Sequence, residues 1–267
     1  MQTNKVAIVT GGTRGMGESI SLDLAQSGHV VYAVYHADAA SAAKTRERLR
    51  EISPASDVIQ GDVSVKADVD RIVTTAAGAL GRVDVLVNNA GIFDFYFIDE
   101  MTEEYLDHIF AVNFKSQFLM TQACLPYMKK QRFGRVINAS SISATLADVG
   151  LIGYGVSKAG VNMFTKIAAA ELAPYQITVN AYAPGITHTD MTDAMIRERG
   201  TEQAKQIALG RFGTCAEIAS LVSYLASDAA GYITGQIIGC DGGFFAVQNP
   251  YRAHEHAAEL ATPNPEA

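Results

Sequence analysis

The sequence predicts an α/β fold: a doubly wound, mostly parallel sheet of seven strands with helices on both faces. Two observations support this prediction. Short apolar runs rich in β-branched residues recur along the chain, and segments long enough to form helices separate them. Several runs are almost continuously apolar, which is typical of strands buried on both faces. Because strands that alternate with helices build a parallel sheet, the pattern indicates one sheet between two helical layers.

Seven segments carry the strand pattern. In chain order they are Val6–Val9, Val30–Tyr35, Val58–Gln60, Val83–Asn88, Arg135–Ala139, Thr178–Ala183 and Gln236–Cys240. Helices are predicted at Met16–Gln26, Glu103–Lys130, Gly155–Leu172 and Ala216–Ala226. Ile20 and Leu24 share one face of the first helix. Thr102 is a candidate N-cap for the second helix, whose first turn carries two acidic residues, as suits the helix dipole.

The organisation of the chain predicts a single folded unit. Its 267 residues allow one large domain or two small ones, and no linker or internal repeat divides them. We expect one domain over residues 1–247. Residues 248–267 have three prolines and little periodicity, so we expect a tail that is either loose or packed on a neighbouring subunit.

Composition and charge exclude several functions. The chain carries 21 Lys and Arg against 28 Asp and Glu, a formal net charge of −7, with no basic run to offset it. We therefore expect no nucleic-acid or membrane partner. Three widely spaced cysteines fit neither a disulfide framework nor a zinc site, so no metal is expected. The first residues lack a basic leader and a cleavage site, and no apolar stretch approaches ~18 residues, so we expect a cytoplasmic protein.

A glycine-rich turn joins the first strand to the first helix. It is Thr10-Gly11-Gly12-Thr13-Arg14-Gly15-Met16-Gly17. Glycines let the backbone turn tightly and approach a pyrophosphate, whose charge is met by N–H groups at the helix N-terminus. The spacing is Gly-x-x-x-Gly-x-Gly rather than Gly-x-Gly-x-x-Gly, but the strand–turn–helix context is the one that the motif requires. The turn therefore predicts a nucleotide site.

Further motifs follow the turn, and together they resemble the classical short-chain dehydrogenase/reductase family. They are Asn88-Asn89-Ala90-Gly91, Asn113, Ser141 with Tyr154 and Lys158, Pro184-Gly185, and Asp241-Gly242-Gly243. Ser141 precedes Tyr154 by 13 residues, and Lys158 follows Tyr154 by 4. Each motif alone is weak, but their order and spacing over roughly residues 5–245 are specific. The resemblance implies a Rossmann-like fold and hydride transfer between a nicotinamide cofactor and a carbonyl or alcohol.

The resemblance also implies which residues hold the cofactor. They are Gly11, Thr13, Arg14, Gly15, Met16, Gly17, Tyr35, His36, Asp62, Val63, Asn89, Ala90, Gly91, Tyr154, Lys158, Pro184, Gly185, Ile186, Thr187 and Thr189. An NAD-selective site would carry a carboxylate at the end of the second strand, where Tyr35 and His36 stand. Arg14 resembles the residue that binds the 2′-phosphate in NADP-using relatives. We therefore expect NADP, with NAD as the alternative. For Asp62 the alternative to cofactor binding is a turn cap.

The reacting centre is expected at Tyr154 and Lys158, which lie one helical turn apart and face the same way. A free tyrosine has a pKa of ~10, too high for efficient proton donation near neutrality, and a nearby ammonium group would lower it. In the family's mechanism Tyr154 protonates the developing oxyanion, Ser141 donates a hydrogen bond to it, and Lys158 binds the ribose. Asn113 resembles the residue that links Lys158 to solvent through water. Ser140 is adjacent, and only the spacing favours Ser141.

The substrate pocket is expected beyond the carboxyl ends of the strands. The candidates are Phe93, Phe95, Leu146, Leu151, Met191 and Met195, which indicate an apolar, partly aromatic pocket for a ketone or secondary alcohol without strong charge. The polar segment 190–209 could form a lid.

Other functions and a self-associated state fit the same resemblance. The nearest alternative is a 3-oxoacyl thioester reductase, whose acidic carrier protein would dock on Lys129, Lys130 and Arg132; CoA thioesters fit the same reading. Residues 173–176 lack the basic residue often found there. A catalytically silent nucleotide-sensing regulator is a further alternative, and a sugar-nucleotide epimerase ranks last. The resemblance also implies a homotetramer, in which the helices Glu103–Lys130 and Gly155–Leu172 pack against their symmetry mates.

Overall fold

The seven predicted strands form one sheet in the computed structural model, which describes residues 5–78, 80–189 and 192–261. The strands are β1 (Val6–Thr10), β2 (Val30–Tyr35), β3 (Asp57–Gln60), β4 (Val85–Asn88), β5 (Gly134–Ala139), β6 (Ile177–Pro184) and β7 (Ile237–Cys240). Their order is β3-β2-β1-β4-β5-β6-β7, and every neighbouring pair is parallel. The prediction of a seven-stranded, doubly wound sheet is confirmed.

Helices cover both faces of the sheet. They are α1 (Gly15–Gln26), α2 (Ala39–Ile52), α3 (Lys66–Gly78), α4 (Glu103–Phe110), α5 (Ser116–Gln131), α6 (Ile152–Leu172), α7 (Asp193–Ala204), α8 (Cys215–Ala226) and α9 (Tyr251–Ala261). Alternate side chains of β1 enter different cores: Ala7 and Val9 pack in the core with α1 and α8, and Ile8 packs in the core with α3 and α5. This alternation makes β1 a central strand buried on both faces.

The segment Glu103–Lys130 is not the single α-helix that was predicted. It consists of α4, a π-helical turn at Ala111–Lys115, and α5. The amide of Asn113, inside this turn, bonds the main chain of Ile92, and Gln117 Nε2 donates to the main-chain oxygen of Asn113. The wide turn thus faces Asn113 toward the sheet, a typical use of π-helical turns at functional sites.

Helix α2 was not predicted because its sequence carries few apolar positions, and α3 was missed although it buries Val69, Ile72 and Val73. In α2 only Ala42, Thr45 and Leu49 are buried. The C-terminal segment contains a helix that was not predicted, since residues 251–261 form α9. Among the described residues, no helix is long and apolar enough to cross a bilayer, and no group of three or more His, Cys, Asp or Glu could hold a metal ion.

Candidate active site

The glycine turn between β1 and α1 requires glycine at two kinds of position. Gly11 and Gly15 have φ of +60° and +53°, where other residues are strained. Gly17 has an ordinary φ, but a Cβ there would lie 2.0 Å from the main-chain oxygen of Gly11. The turn is therefore as tight as a phosphate cradle needs to be, with the N-terminus of α1 at its end.

Asn89 holds this turn to the neighbouring strand. Its side-chain nitrogen donates to the main-chain oxygens of Thr10 and Gly11, at 3.0 and 3.1 Å. The Thr10 hydroxyl oxygen accepts from the main-chain N–H groups of Asn89 and Ala90. Asn89 and Ala90 thus lie beside the turn, where Asn89 has a clear structural role.

A cavity of about 440 Å³ opens beside the turn. Its lining includes two cationic side chains, Arg14 from the turn and Lys44 from α2, and two carboxylates, Glu18 and Asp193. Each carboxylate is already paired with an arginine outside the lining, Glu18 with Arg48 and Asp193 with Arg197. Lys44 was not predicted from the sequence, because it lies 30 residues from Arg14 in a polar helix whose register only packing reveals. The two cations make this cavity suited to an anionic group.

The residues after β2 and β3 lie close together. His36 Nε2 is 4.0 Å from Asp62 Oδ2, and His36 is exposed. Burial acts to raise the pKa of Asp62, but hydrogen bonds from the hydroxyl and N–H of Ser64 bring it below its ordinary value. The Asp62 carboxylate therefore caps a turn, which was the alternative weighed for it. The first acid after β2, Asp38, accepts from Ser41 as the N-cap of α2.

Ser141 and Tyr154 face each other, and Ser140 does not join them. A hydrogen bond from Ser141 acts on the Tyr154 hydroxyl, whereas Ser140 Oγ donates to Asn162 Oδ1 at 2.5 Å. Ser141 Oγ also accepts from the Ser143 N–H, which leaves its own hydrogen available for donation. The choice between the two serines, which spacing alone decided in the sequence, here follows from their different partners.

Lys158 is buried beneath Tyr154. Its side chain donates from Nζ to the main-chain oxygen of Ala139 at 2.8 Å, and Nζ lies 5.7 Å from the Tyr154 ring centroid. Burial lowers the pKa of Lys158 to about 8. A Cβ on Gly91 would lie 3.5 Å from this Nζ and 3.3 Å from Asn113 Oδ1, so Gly91 leaves room where the two side chains meet.

The pKa of Tyr154 is raised, whereas the sequence predicted that it would be lowered. Burial raises it, and the hydrogen bond from Ser141 offsets only part of that rise. The reason is that the protein desolvates the phenol and the amine together, and desolvation favours the neutral form of each. The expectation that Lys158 lowers the pKa of Tyr154 is therefore corrected for this structure.

The loop after β6 closes over the glycine turn. A Cβ on Gly185 would lie 2.8 Å from Asp241 Cα, so the close approach of the loop after β7 requires glycine there. The main chain of Ile186 accepts from Gly213, and Thr187 bridges to the same residue. The side chain of Thr189 is 3.6 Å from where a Cβ on Gly15 would be. The other predicted cofactor residues lie in segments described above. Thr13 and Met16 belong to the glycine turn and the start of α1, Tyr35 ends β2, Val63 follows β3, and Pro184 ends β6.

An aromatic wall borders Tyr154 on the substrate side. Phe93 packs edge-to-face on Tyr154, with ring centroids 5.1 Å apart, and Phe95 packs on Phe93 at the same separation. Leu151 lines a different cavity of about 500 Å³ with Phe97 and Val156. The other predicted pocket residues are less informative: Leu146 is 37% exposed, Met195 is half-buried on α7, and Met191 lies outside the described residues.

Comparisons with known proteins agree with this geometry. A family model described as enoyl-(acyl carrier protein) reductase matches residues 11–245. The 3-oxoacyl-(acyl-carrier-protein) reductase of Staphylococcus aureus is 40% identical over 245 residues, which cover 92% of this chain and 100% of that protein. That of Thermotoga maritima is 39% identical, covering 90% and 97%.

Solved structures give the same result. A putative short-chain alcohol dehydrogenase from Sinorhizobium meliloti superimposes with a TM-score of 0.88 at 32% identity, covering 92% of this chain and 98% of that one. An acetoin dehydrogenase from Salmonella typhimurium superimposes with a TM-score of 0.83 at 34% identity, covering 92% and 97%. The similar proteins thus have names that refer to different substrates.

Proposed function

This chain belongs to the short-chain dehydrogenase/reductase family of oxidoreductases, and from that premise we propose that it reduces an apolar ketone with NADPH. The observation that carries the proposal is the meeting of Ser141, Tyr154 and Lys158 beside the glycine turn. A donor hydroxyl, a phenol and an amine at the carboxyl edge of the sheet are the groups that carbonyl reduction needs.

The residues around the turn fit a nicotinamide dinucleotide. Gly11, Gly15 and Gly17 form a cradle that any Cβ would strain or fill, and Arg14 and Lys44 bring positive charge to its cavity. Once bound, such a cofactor supplies or accepts a hydride.

The chain's own groups then handle the proton. Tyr154 gives its phenolic proton to the carbonyl oxygen of the substrate, and the Ser141 hydroxyl stabilises the charge that develops there. Lys158, held by the Ala139 carbonyl, stays beneath the phenol. The raised pKa of Tyr154 keeps the phenol protonated at pH 7, which is the form required for reduction. Oxidation of an alcohol needs the phenolate and therefore a higher pH.

Preference for NADP is supported by the charges near the turn. Arg14 and Lys44 line one cavity, and the residues after β2 are Tyr35 and His36, neither of which is a carboxylate. Asp38, the nearest acid along the chain, is occupied in capping α2. A carboxylate free to bind a ribose 2′-hydroxyl is thus lacking at these positions, whereas two cations can meet a 2′-phosphate.

The preference is tested by measuring kcat/KM for NADPH and NADH in the wild type and in the variants Arg14→Ala and Lys44→Ala. We expect each to lower kcat/KM for NADPH by about tenfold, equivalent to ~1.4 kcal/mol, with little effect on NADH. Lys166→Ala, which removes an exposed lysine on α6, is the control. Equal losses with both cofactors would contradict the proposal.

A second candidate substrate is a 3-oxoacyl thioester, because the most extensive similarity reported above is to reductases of that class. The expected docking cations are partly occupied, however. Lys129 Nζ lies 4.4 Å from the Tyr175 ring centroid, and Arg132 donates to the main-chain oxygen of Pro174. The aromatic wall at Tyr154 and these contacts favour the small ketone.

The two substrates are separated by initial rates with NADPH over a panel of ketones, diketones and acyl thioesters. We expect the highest kcat/KM with an apolar ketone, and a higher value with a thioester would make the second candidate the function. Tyr154→Phe should abolish turnover and keep NADPH binding, while Tyr224→Phe, on the exposed side of α8, should leave both turnover and NADPH binding unchanged. Turnover retained in Tyr154→Phe would refute the assigned proton donor. Binding of substrates without any turnover would indicate a regulator.

Self-association into a homotetramer is also part of the proposal. One face of α6 exposes Val156, Met163 and Ile167 at helical spacing, and Phe118 on α5 is 45% exposed nearby in the fold. A stripe of this kind is typical of a protein interface. Light scattering after size exclusion should give four times the chain mass, and Met163→Glu should reduce that mass.

A further inference from the structure

Helix α9 lies beyond the residues that the family model matches, and it packs on the connection between α7 and α8. The match ends at residue 245, and α9 spans Tyr251–Ala261. His254 donates from Nε2 to the main-chain oxygen of Ala208 at 2.9 Å. Its ring also lies 3.1 Å from where a Cβ on Gly210 would be, at a φ of +67°.

From these contacts we propose that His254 is a positioning residue: it fixes residues 207–210 and through them helix α7, which carries the predicted pocket residue Met195. The proposal rests on the proposed function, because the position of α7 affects catalysis only if a substrate binds beside this helix.

Residues 207–210 lie between α9 and the loop that follows β7. Ile207 is buried, and its Cγ2 would be 2.7 Å from a Cβ on Gly242. The N–H of Leu209 donates to the Gly242 oxygen at 3.0 Å. On this side the segment packs on the backbone of the loop after β7, whereas on the α9 side the bond from His254 holds it. Loss of the bond from His254 would leave residues 207–210 supported only by the loop after β7.

The connection to α7 is direct. The N–H of Ile207 donates to the oxygen of Ala204, the last residue of α7. Within α7, a Cβ on Gly200 would be 3.4 Å from the ring of Phe212, which lies in the connection between α7 and α8. Residues 207–212 therefore contact α7 at its C-terminal end and support that end of the helix.

The cofactor side of the same connection has its own anchor. The N–H of Gly213 donates to the oxygen of Ile186, and the N–H of His188 donates to the oxygen of Gly213, both at 3.0 Å. These bonds do not involve α9. Asp193, the α7 residue that lines the cavity with Arg14, stands next to Thr192, whose hydroxyl donates to the main-chain oxygen of Thr187, so this end of α7 is also held without α9. Loosening residues 207–210 should therefore alter substrate binding and leave cofactor binding intact.

The test compares His254→Ala, His254→Gln and Glu255→Ala in the full chain by hydrogen–deuterium exchange and by kinetics. Gln keeps a side-chain N–H near the position of Nε2, and Glu255 is an exposed neighbour on α9. In His254→Ala we expect exchange across residues 205–212 to rise about fivefold, the factor equivalent to ~1 kcal/mol. The KM for the ketone should rise by about the same factor, with kcat and the Kd for NADPH within about twofold. His254→Gln should restore both values.

Unchanged exchange in His254→Ala, an equal rise in Glu255→Ala, or a His254→Gln variant as loose as His254→Ala would each overturn the inference. The exchange measurement needs no substrate. If the wild type reduces no ketone, the proposed function fails, and the exchange data still decide whether His254 holds residues 207–210.

Discussion

Replacing the buried Lys158 by methionine should make the protein inactive but more stable at pH 7. Lys158 is 3% exposed and contacts no carboxylate among the described residues; its Nζ donates to the Ala139 oxygen. Methionine has a similar length and no charge, so it fills the same space without a desolvation cost. Activity should be lost because the amine beneath Tyr154 is removed.

The magnitude follows from the pKa. Burial lowers the pKa of Lys158 from 10.5 to about 8. At ~1.36 kcal/mol per pKa unit, the folded state opposes the ammonium form by ~3.4 kcal/mol at pH 7. Loss of the bond to the Ala139 oxygen offsets ~1.5–3 kcal/mol of this, so the net gain in the free energy of unfolding is about 1 kcal/mol.

The pH dependence separates the two contributions. Between pH 8 and 10.5 the unfolded chain holds the proton on Lys158 and the folded chain does not, so wild-type stability rises with pH in that window. From pH 7 to pH 9.5 the wild type should gain ~2 kcal/mol relative to Lys158→Met.

Urea unfolding of both proteins at several pH values measures this difference. Lys166→Met, at an exposed position of the same helix, should keep a constant difference from the wild type. Parallel stability curves for the wild type and Lys158→Met would show that the lysine is not desolvated as its burial requires, and the reasoning would fail.

Three further predictions test the site and the fold. Ser141→Ala should lower kcat by ~10²–10³-fold, as expected for loss of an oxyanion donor. Ser140→Ala should keep kcat but lower the free energy of unfolding by ~1 kcal/mol, because its bond to Asn162 is lost. The reverse result would exchange the roles of the two serines. Gly17→Ala should abolish NADPH binding in a fluorescence titration because its Cβ would lie 2.0 Å from a carbonyl oxygen, and Gly78→Ala, which meets nothing within 4 Å, should bind normally; normal binding by both would argue against a tight turn. Asp84→Ala should destabilise the fold by about 3 kcal/mol in urea because the buried carboxylate accepts from the Val6 N–H and from Arg82; a loss below ~1 kcal/mol would contradict this reading.

The strands could be predicted because a central parallel strand is buried on both faces and its composition shows it directly. All six residues of β5 are buried, for example, and the prediction began one residue late. The polar helices were harder to predict. In α2 a narrow buried stripe is enough for packing on the sheet, so the apolar pattern in its sequence is weak. The described side chains of α9 are exposed.

The sequence by itself determined the sheet, the turn and the spacing of Tyr154 and Lys158, because these depend on local geometry: strand period, glycine conformations and one helical turn. Only the tertiary structure decided which serine faces the phenol, since Ser140 and Ser141 differ by their partners on α6. It also decided the direction of the Tyr154 pKa and the presence of Lys44 beside the turn. Desolvation and long-range contacts depend on all the atoms around a group, and no stretch of sequence contains them.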